Sequence, residues 1–203
     1  MGQIAVHEFI SLDGVFESPS WTFEFGFDPA MGETLAGVTG GATAILLGRT
    51  TFDMFAPAWR DRTVEQDPGA PFFNETTKYV VGKEAPTEEW GPSERLGGYD
   101  ADAIRRLKDD TDGTIYVSGS GQLVRGLLAD GLVDELHLFV YPIALGAGER
   151  LFTEGSSPTR LALLDSDVYA NGVVHLSYGP AVAEDQSTSQ AADQAADQAE
   201  AGA

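Results

Sequence analysis

The run Leu46-Leu47-Gly48-Arg49-Thr50-Thr51-Phe52 (LLGRTTF) decides the fold. The segment Ala44–Gly48 is short and almost wholly apolar, as in a strand buried on both faces of a parallel sheet. Arg49, Thr50 and Thr51 then open a helix, with Gly48 at the junction. Such a junction suits an anion. The first helical amides lack partners, the helix dipole is positive there, hydroxyls add donors, and an Arg can grip two oxygens at once. A plainer reading stands beside it, in which a Thr caps the helix and Arg49 pairs with a surface carboxylate.

A second strand-to-helix junction follows in IYVSGSGQLVRGLL, Ile115 to Leu128. The strand ends at Ser118, and Gly119-Ser120-Gly121 leads directly into a helix. Two glycines let backbone approach a pyrophosphate closely, and the new helix presents its amides. The spacing differs from the dinucleotide fingerprint, because Val124 stands where the third glycine belongs. It is not a P-loop either, since no Gly-Lys-Ser/Thr follows. Glycine turns of this kind also serve packing alone, so the argument rests on two such turns in one small domain.

Around these junctions, strands and helices alternate and then give way to strands alone. Gln3–Ile10 reads as a strand closed by the turn Asp13-Gly14, and Lys78–Gly82 as another. Asp100 caps a helix with Ile104, Leu107 and Lys108 at helical spacing, and Gly131 ends the helix Gln122–Asp130. Glu135–Tyr141, Leu161–Asp165 and Val173–Tyr178 read as late strands. The pattern implies an α/β fold: a central mixed sheet flanked by helices, three layers in all, with an antiparallel C-terminal edge. From Ala181 the composition shifts to AVAEDQSTSQAADQAADQAEAGA, too poor in apolar side chains to offset ordering entropy. Residues 1–180 are therefore expected to form one domain and 181–203 a disordered acidic tail.

Composition narrows the function. The 203 residues contain no cysteine, which removes disulfides, thiolate chemistry and cysteine metal sites. His7, His137 and His175 lie far apart in sequence without a metal-binding array, and each reads as a hydrogen-bonded residue of a strand, so no metal is expected. Twelve Lys and Arg against 32 Asp and Glu give a net charge of −20, which argues against nucleic acid and anionic membranes as partners. No stretch approaches the ~20 apolar residues of a membrane span, and the first residues do not read as a signal peptide, so a cytoplasmic location is expected. In so acidic a chain, an anionic ligand must be held by local positive groups.

Taken in order, SLDG (Ser11–Gly14), LLGRTTF, KYVV (Lys78–Val81), YVSGSGQLVRGLL, GLVDEL (Gly131–Leu136) and PIALGAGERLF (Pro142–Phe152) resemble the reductase-domain family named for riboflavin biosynthesis, the RibD C-terminal-like family within the dihydrofolate-reductase superfamily. The resemblance spans about Gln3 to Pro180. It implies a dihydrofolate-reductase-like fold, usually a homodimer, with NADPH across the C-terminal ends of the strands and hydride transfer to a small, planar heterocyclic or carbonyl or imine substrate. The family's fused deaminase carries a PCxxC zinc site, which a chain without cysteine lacks.

By the same resemblance, Gly48 is a cofactor-binding position, Arg49 and Thr50 contact the adenosine 2′-phosphate, and Thr51 lies near the pyrophosphate. Ser118, Gly119, Ser120, Gly121, Gln122 and Leu123 form the turn around the pyrophosphate, and Lys83 follows Gly82 on the adenine side. Asp13 either contacts substrate or makes the turn with Gly14. The alternation Trp21, Phe23, Phe25, Phe27 is either an edge strand or loop packed on the core or a dimer partner, or an aromatic wall for the substrate. A reductase needs a proton source near the acceptor atom, and Asp28 and Glu33 are the candidates, undecided by spacing. The competing reading is a catalytically silent NADPH-binding protein acting as a sensor or dimeric scaffold.

Overall fold

The computed structural model describes residues 1–155 and 157–181. The expected tail, apart from Ala181, lies outside the described residues. Among the described residues an eight-stranded sheet runs in the order β4-β3-β2-β5-β1-β6-β8-β7. Its strands are β1 (Gln3–Ser11), β2 (Ala42–Gly48), β3 (Thr77–Val81), β4 (Ser93–Gly97), β5 (Thr114–Val117), β6 (Glu135–Tyr141), β7 (Leu161–Val168) and β8 (Val174–Pro180). The first six are parallel, while β8 runs antiparallel to β6 and β7 antiparallel to β8. This is the mixed sheet with an antiparallel C-terminal edge read from the sequence.

Among the described residues five α-helices flank the sheet: α1 (Pro29–Gly40), α2 (Arg49–Trp59), α3 (Ala70–Glu75), α4 (Ala101–Asp110) and α5 (Gly121–Ala129). Alternation along each strand separates the two faces. Ile4, Val6 and Ile10 of β1, with Ala44 and Leu46 of β2, pack against Ile104 of α4 and Leu123, Val124 and Leu127 of α5. On the opposite face Ile45 and Leu47 meet Phe52 and Ala56 of α2. Further along that face, Phe139 and Tyr141 of β6 meet Met31 of α1. Asp100 caps α4 by accepting from the Asp102 and Ala103 amides, and Gly131 leaves α5 at φ +63°, both as read from the sequence.

Three elements lacked a readable signal: α1, the six-residue α3 and β4. Helix α1, PAMGETLAGVTG, buries Met31 fully and Leu35 and Val38 only in part, a sparse stripe diluted by Gly32, Gly37 and Gly40. Strand β4, SERLG, is an edge strand with its first three residues exposed. The aromatic alternation is corrected: Pro19–Phe25 is a 3-10 helix rather than an edge strand. Leu151 is buried in the core, whereas Phe152 remains about half exposed.

Candidate active site

The two glycine junctions meet at the C-terminal ends of neighbouring strands, since β2 and β5 are hydrogen-bonded in the sheet. A Cβ on Gly48 would lie 2.2 Å from Ser120 Oγ and 2.8 Å from Ser120 Cβ. A Cβ on Gly119, which sits at φ +72°, would lie 2.9 Å from Thr51 Oγ1. The Gly48 amide donates to the Gly119 carbonyl at 3.4 Å. Absent side chains thus let the first turn of α2 and the first turn of α5 share one surface. Both helices begin there with amides that have no intrahelical acceptor, and their dipoles add positive potential. Thr50 and Gln122 stand exposed on the opening turns of α2 and α5. The amides of Ser120, Gly121, Gln122 and Leu123 belong to the same surface.

Cations gather at the outer end of this surface. Arg49 pairs with Asp53 at 2.9 Å, one helical turn on. Asp53 also accepts from the Thr87 and Glu88 amides. Burial pushes the Asp53 carboxyl up, but the Glu88 and Thr87 amides and then Arg49 outweigh it and hold it below the usual range. A Cβ on Gly82 would lie 2.7 Å from Arg49 Cβ, so β3 also ends on a glycine pressed against Arg49. Lys83 follows, exposed. Arg95 of β4 donates to the Gly82 carbonyl at 3.4 Å and to the Lys83 carbonyl. Sequence reading missed Arg95 because β4 itself was unread.

The C-terminal end of β1 adds three residues. Asp13 accepts from Ser11 Oγ at 2.7 Å and from the Leu145 and Gly146 amides at 3.0 and 2.8 Å, and it pairs with Arg150 at 3.3 Å. These hydroxyl and amide donors hold its carboxyl well below the usual range. Asp13 therefore ties the SLDG turn to the Gly146–Arg150 loop. Phe16 lies against the start of α5, where a Cβ on Gly121 would come 2.1 Å from its ring. Glu8 is buried within β1, and its Oε1 accepts from the Gly119 amide at 2.9 Å. Burial pushes the Glu8 carboxyl up to about 8 against the pull of that amide. No motif draws attention to Glu8; the only signal is a lone acid in an otherwise apolar stretch of strand.

The two carboxylates read as proton donors lie at the start of α1. Asp28 caps α1, accepting from the Ala30 amide at 2.9 Å through one oxygen and from the Ala170 amide at 2.9 Å through the other. Glu33 is exposed on α1. Trp21 and Phe25 turn inward to Tyr141, at centroid distances of 5.4 and 5.5 Å, while Phe23 and Phe27 are mostly exposed. A 3-10 turn separates the four rings in this way where a strand would have aligned them.

The histidines converge although their sequence positions do not suggest it. Strand register sets His7 beside His137, and His175 beside Phe139. His137 Nδ1 contacts His175 Nε2 at 3.1 Å, and His137 Nε2 contacts Glu135 at 3.0 Å. His7 Nδ1 meets the Tyr116 hydroxyl at 2.8 Å, and burial, then His137 and His175, push its imidazole down to about 3. A cleft of about 390 Å³ between α1 and the sheet reaches His137 and His175. It is lined by Gln3, Thr114 and Glu135, the starts of β1, β5 and β6, so it opens at the end of the strands opposite the glycine turns. Among the described residues, no group of three or more His, Asp or Glu is placed to hold a metal, and no helix is long and apolar enough to cross a membrane.

Comparison with known proteins agrees with the fold. Residues 100–175 match the RibD C-terminal domain family. The uncharacterized protein YyaP of Bacillus subtilis is 25% identical over 173 residues, covering 83% of this chain and 90% of that protein. A crystal structure from Shewanella sp. PV-4, named for riboflavin biosynthesis, superposes with a TM-score of 0.71 at 20% identity, covering 89% of this chain and 99% of the other. A pyrimidine reductase-like protein of Corynebacterium diphtheriae superposes with a TM-score of 0.60 at 17% identity over 89% and 92% of the two chains. A Thermotoga maritima deaminase/5-amino-6-(5-phosphoribosylamino)uracil reductase gives 0.59 at 13% identity; the match covers 89% of this chain but only 57% of that longer one. Residues 100–175 are thus similar to the RibD C-terminal domain, and the chain shares the fold of these solved structures.

Proposed function

We propose that this protein is an NADPH-dependent reductase acting on a small planar heterocycle or a carbonyl or imine compound. The observation that carries the reading is the meeting of the two glycine junctions, because two helix N-termini that meet through glycines match the needs of a pyrophosphate. The reductases among the structural relatives support the same reading. Ser118, Gly119, Ser120, Gly121, Gln122, Leu123 and Thr51 would hold the pyrophosphate. Gly48, Arg49, Thr50 and Lys83 would hold the 2′-phosphate end, with Arg95 beside them. Bound there, the nicotinamide supplies a hydride equivalent. The chain's own residues would bind and orient it. Oxidation of NADPH at 340 nm across a panel of pterins, pyrimidinones, imines and quinones tests the activity, and Arg49→Ala must weaken it.

A second reading has its own support. Both oxygens of Asp28 serve backbone amides and Glu33 is exposed, so neither carboxylate proposed as proton donor stands apart from ordinary structural duty. A catalytically silent NADPH-binding protein fits those observations, and stoichiometric binding without turnover across the panel is its signature. We also propose a homodimer. Edge strand β7 leaves Leu163, Leu164 and Val168 more than half exposed, and such an edge is normally covered. Sedimentation equilibrium at micromolar concentration distinguishes the dimer from a monomer.

A further inference from the structure

Glu8 stands out among the buried groups because the fold alone gives no reason for a carboxyl there. It lies on the β1 face that carries Val6 and Ile10, and that face packs on α5. Its cross-strand neighbour on β6 is Leu138. On the other side β1 pairs with β5 only as far as Val6 with Val117, so the Glu8 side chain stands where β5 leaves the sheet. There the Gly119 amide, which has lost its ladder, donates to Glu8 Oε1 at 2.9 Å. Gly119 in turn packs on Thr51, and Gly48 on Ser120, so the turn that Glu8 holds is the one that meets the start of α2.

We propose that Glu8 is the positioning residue of the glycine turn and serves it as a neutral acid, so that the turn takes the pyrophosphate of a dinucleotide only while Glu8 keeps its proton. This rests on the reading of the two junctions as a dinucleotide cradle. An amide-accepting oxygen is all the turn needs, and a neutral carboxyl provides it. An ionised carboxylate in the same place would set an unpaired buried charge directly under a ligand of like sign, in surroundings that screen it poorly.

The charged groups nearby do not supply a counterion. From β5 the titratable neighbour is the Tyr116 phenol, which burial and Glu8 both keep protonated. β6 contributes Leu138, and α5 contributes Leu123 and Val124. Arg125 of α5 is paired with Glu149 at 2.6 Å, and Arg49 of α2 with Asp53 at 2.9 Å. His7 is next along β1 but on the opposite face, bonded to Tyr116. The direction in which burial moves the Glu8 carboxyl agrees with a neutral group at pH 7.

The test is the NADPH dissociation constant, followed by nucleotide fluorescence from pH 7 to 9, in the natural protein and in Glu8→Gln. The Gln variant keeps an amide-accepting oxygen and cannot ionise. The natural protein is expected to lose affinity about tenfold across this range, while E8Q holds a constant value. Equal pH profiles in the two proteins, or a flat profile in the natural one, overturn the proposal. A ligand-free readout separates this from the cradle reading: the infrared difference between the two proteins is expected to show a protonated carboxyl band at pH 7 that fades as pH passes about 8. Absence of that band at pH 7 overturns the neutral-acid assignment even if NADPH binds. A band at pH 7 with no NADPH binding at any pH overturns the cradle reading and the anion gating, and leaves Glu8 neutral for structural reasons alone.

Discussion

Gly48→Ala probes the claim that the two junctions form one surface. The added methyl would sit 2.2 Å from Ser120 Oγ, 2.8 Å from Ser120 Cβ and 3.1 Å from the Ser120 amide nitrogen. The hydroxyl can rotate away, but Cβ and nitrogen move only with the backbone of the turn. Overpacking of this kind costs about 1–3 kcal/mol. For a domain of this size each kcal/mol lowers Tm by about 2–4 °C. Ser120→Gly removes the two nearest atoms, so the double variant G48A/S120G is expected to recover most of the loss. A coupling of about 0.5–3 kcal/mol between the two sites is the quantity to measure, by urea unfolding of the four proteins in the cycle. NADPH affinity, read by fluorescence in the same set, is expected to fall in Gly48→Ala with the displaced turn. Purely additive effects on stability, or a Gly48→Ala variant as stable as the natural protein, would refute the shared surface.

Further outcomes follow from the same geometry. Glu8→Gln is expected to flatten the pH dependence of stability. Because the folded carboxyl is raised from 4.5 to about 8, the folded state holds that proton more tightly, so natural-protein stability falls relative to E8Q as pH climbs from about 4.5 to about 8. The loss is on the order of 4 kcal/mol, and urea titrations at pH 5 and 8.5 measure it. Arg95→Ala is expected to weaken NADPH about tenfold or more while leaving NADH nearly unchanged, and Arg49→Ala to do the same, as for loss of a charged hydrogen bond to a phosphate; equal effects on both nucleotides in a titration would remove the cations from the 2′-phosphate. Asp134→Ala removes the acceptor of the Ile4 amide at 2.7 Å and the partner of Lys108 at 2.6 Å. It is expected to cost about 1–3 kcal/mol in urea unfolding without altering nucleotide affinity.

Strong local signals carried most of the fold. The apolar run before Gly48, the Asp100 cap and the Gly131 stop each act within a few residues, and each element formed where its signal stood. Helix α1 and strand β4 escaped because the stripe Met31, Leu35, Val38 is sparse and broken by glycines, and because SERLG is a short exposed edge strand held by pairing. The site divides the same way. Glycine turns are legible since only glycine allows the close approach of Gly48 to Ser120 and of Gly119 to Thr51. Glu8 and Arg95 were illegible because their meaning lies in partners 111 and 13 residues away. The histidine cluster likewise arises from strand register, which no spacing of His7, His137 and His175 reveals.

The most direct measurement is parallel titration of the natural protein with NADPH and NADH, read by nucleotide fluorescence and by thermal unfolding. The account predicts saturable one-to-one binding with NADPH the tighter ligand. At roughly 100 times its Kd, NADPH should add about 2.7 kcal/mol of apparent stability. No fluorescence change and no shift in Tm with either nucleotide would contradict the assignment of the two glycine junctions as a dinucleotide cradle.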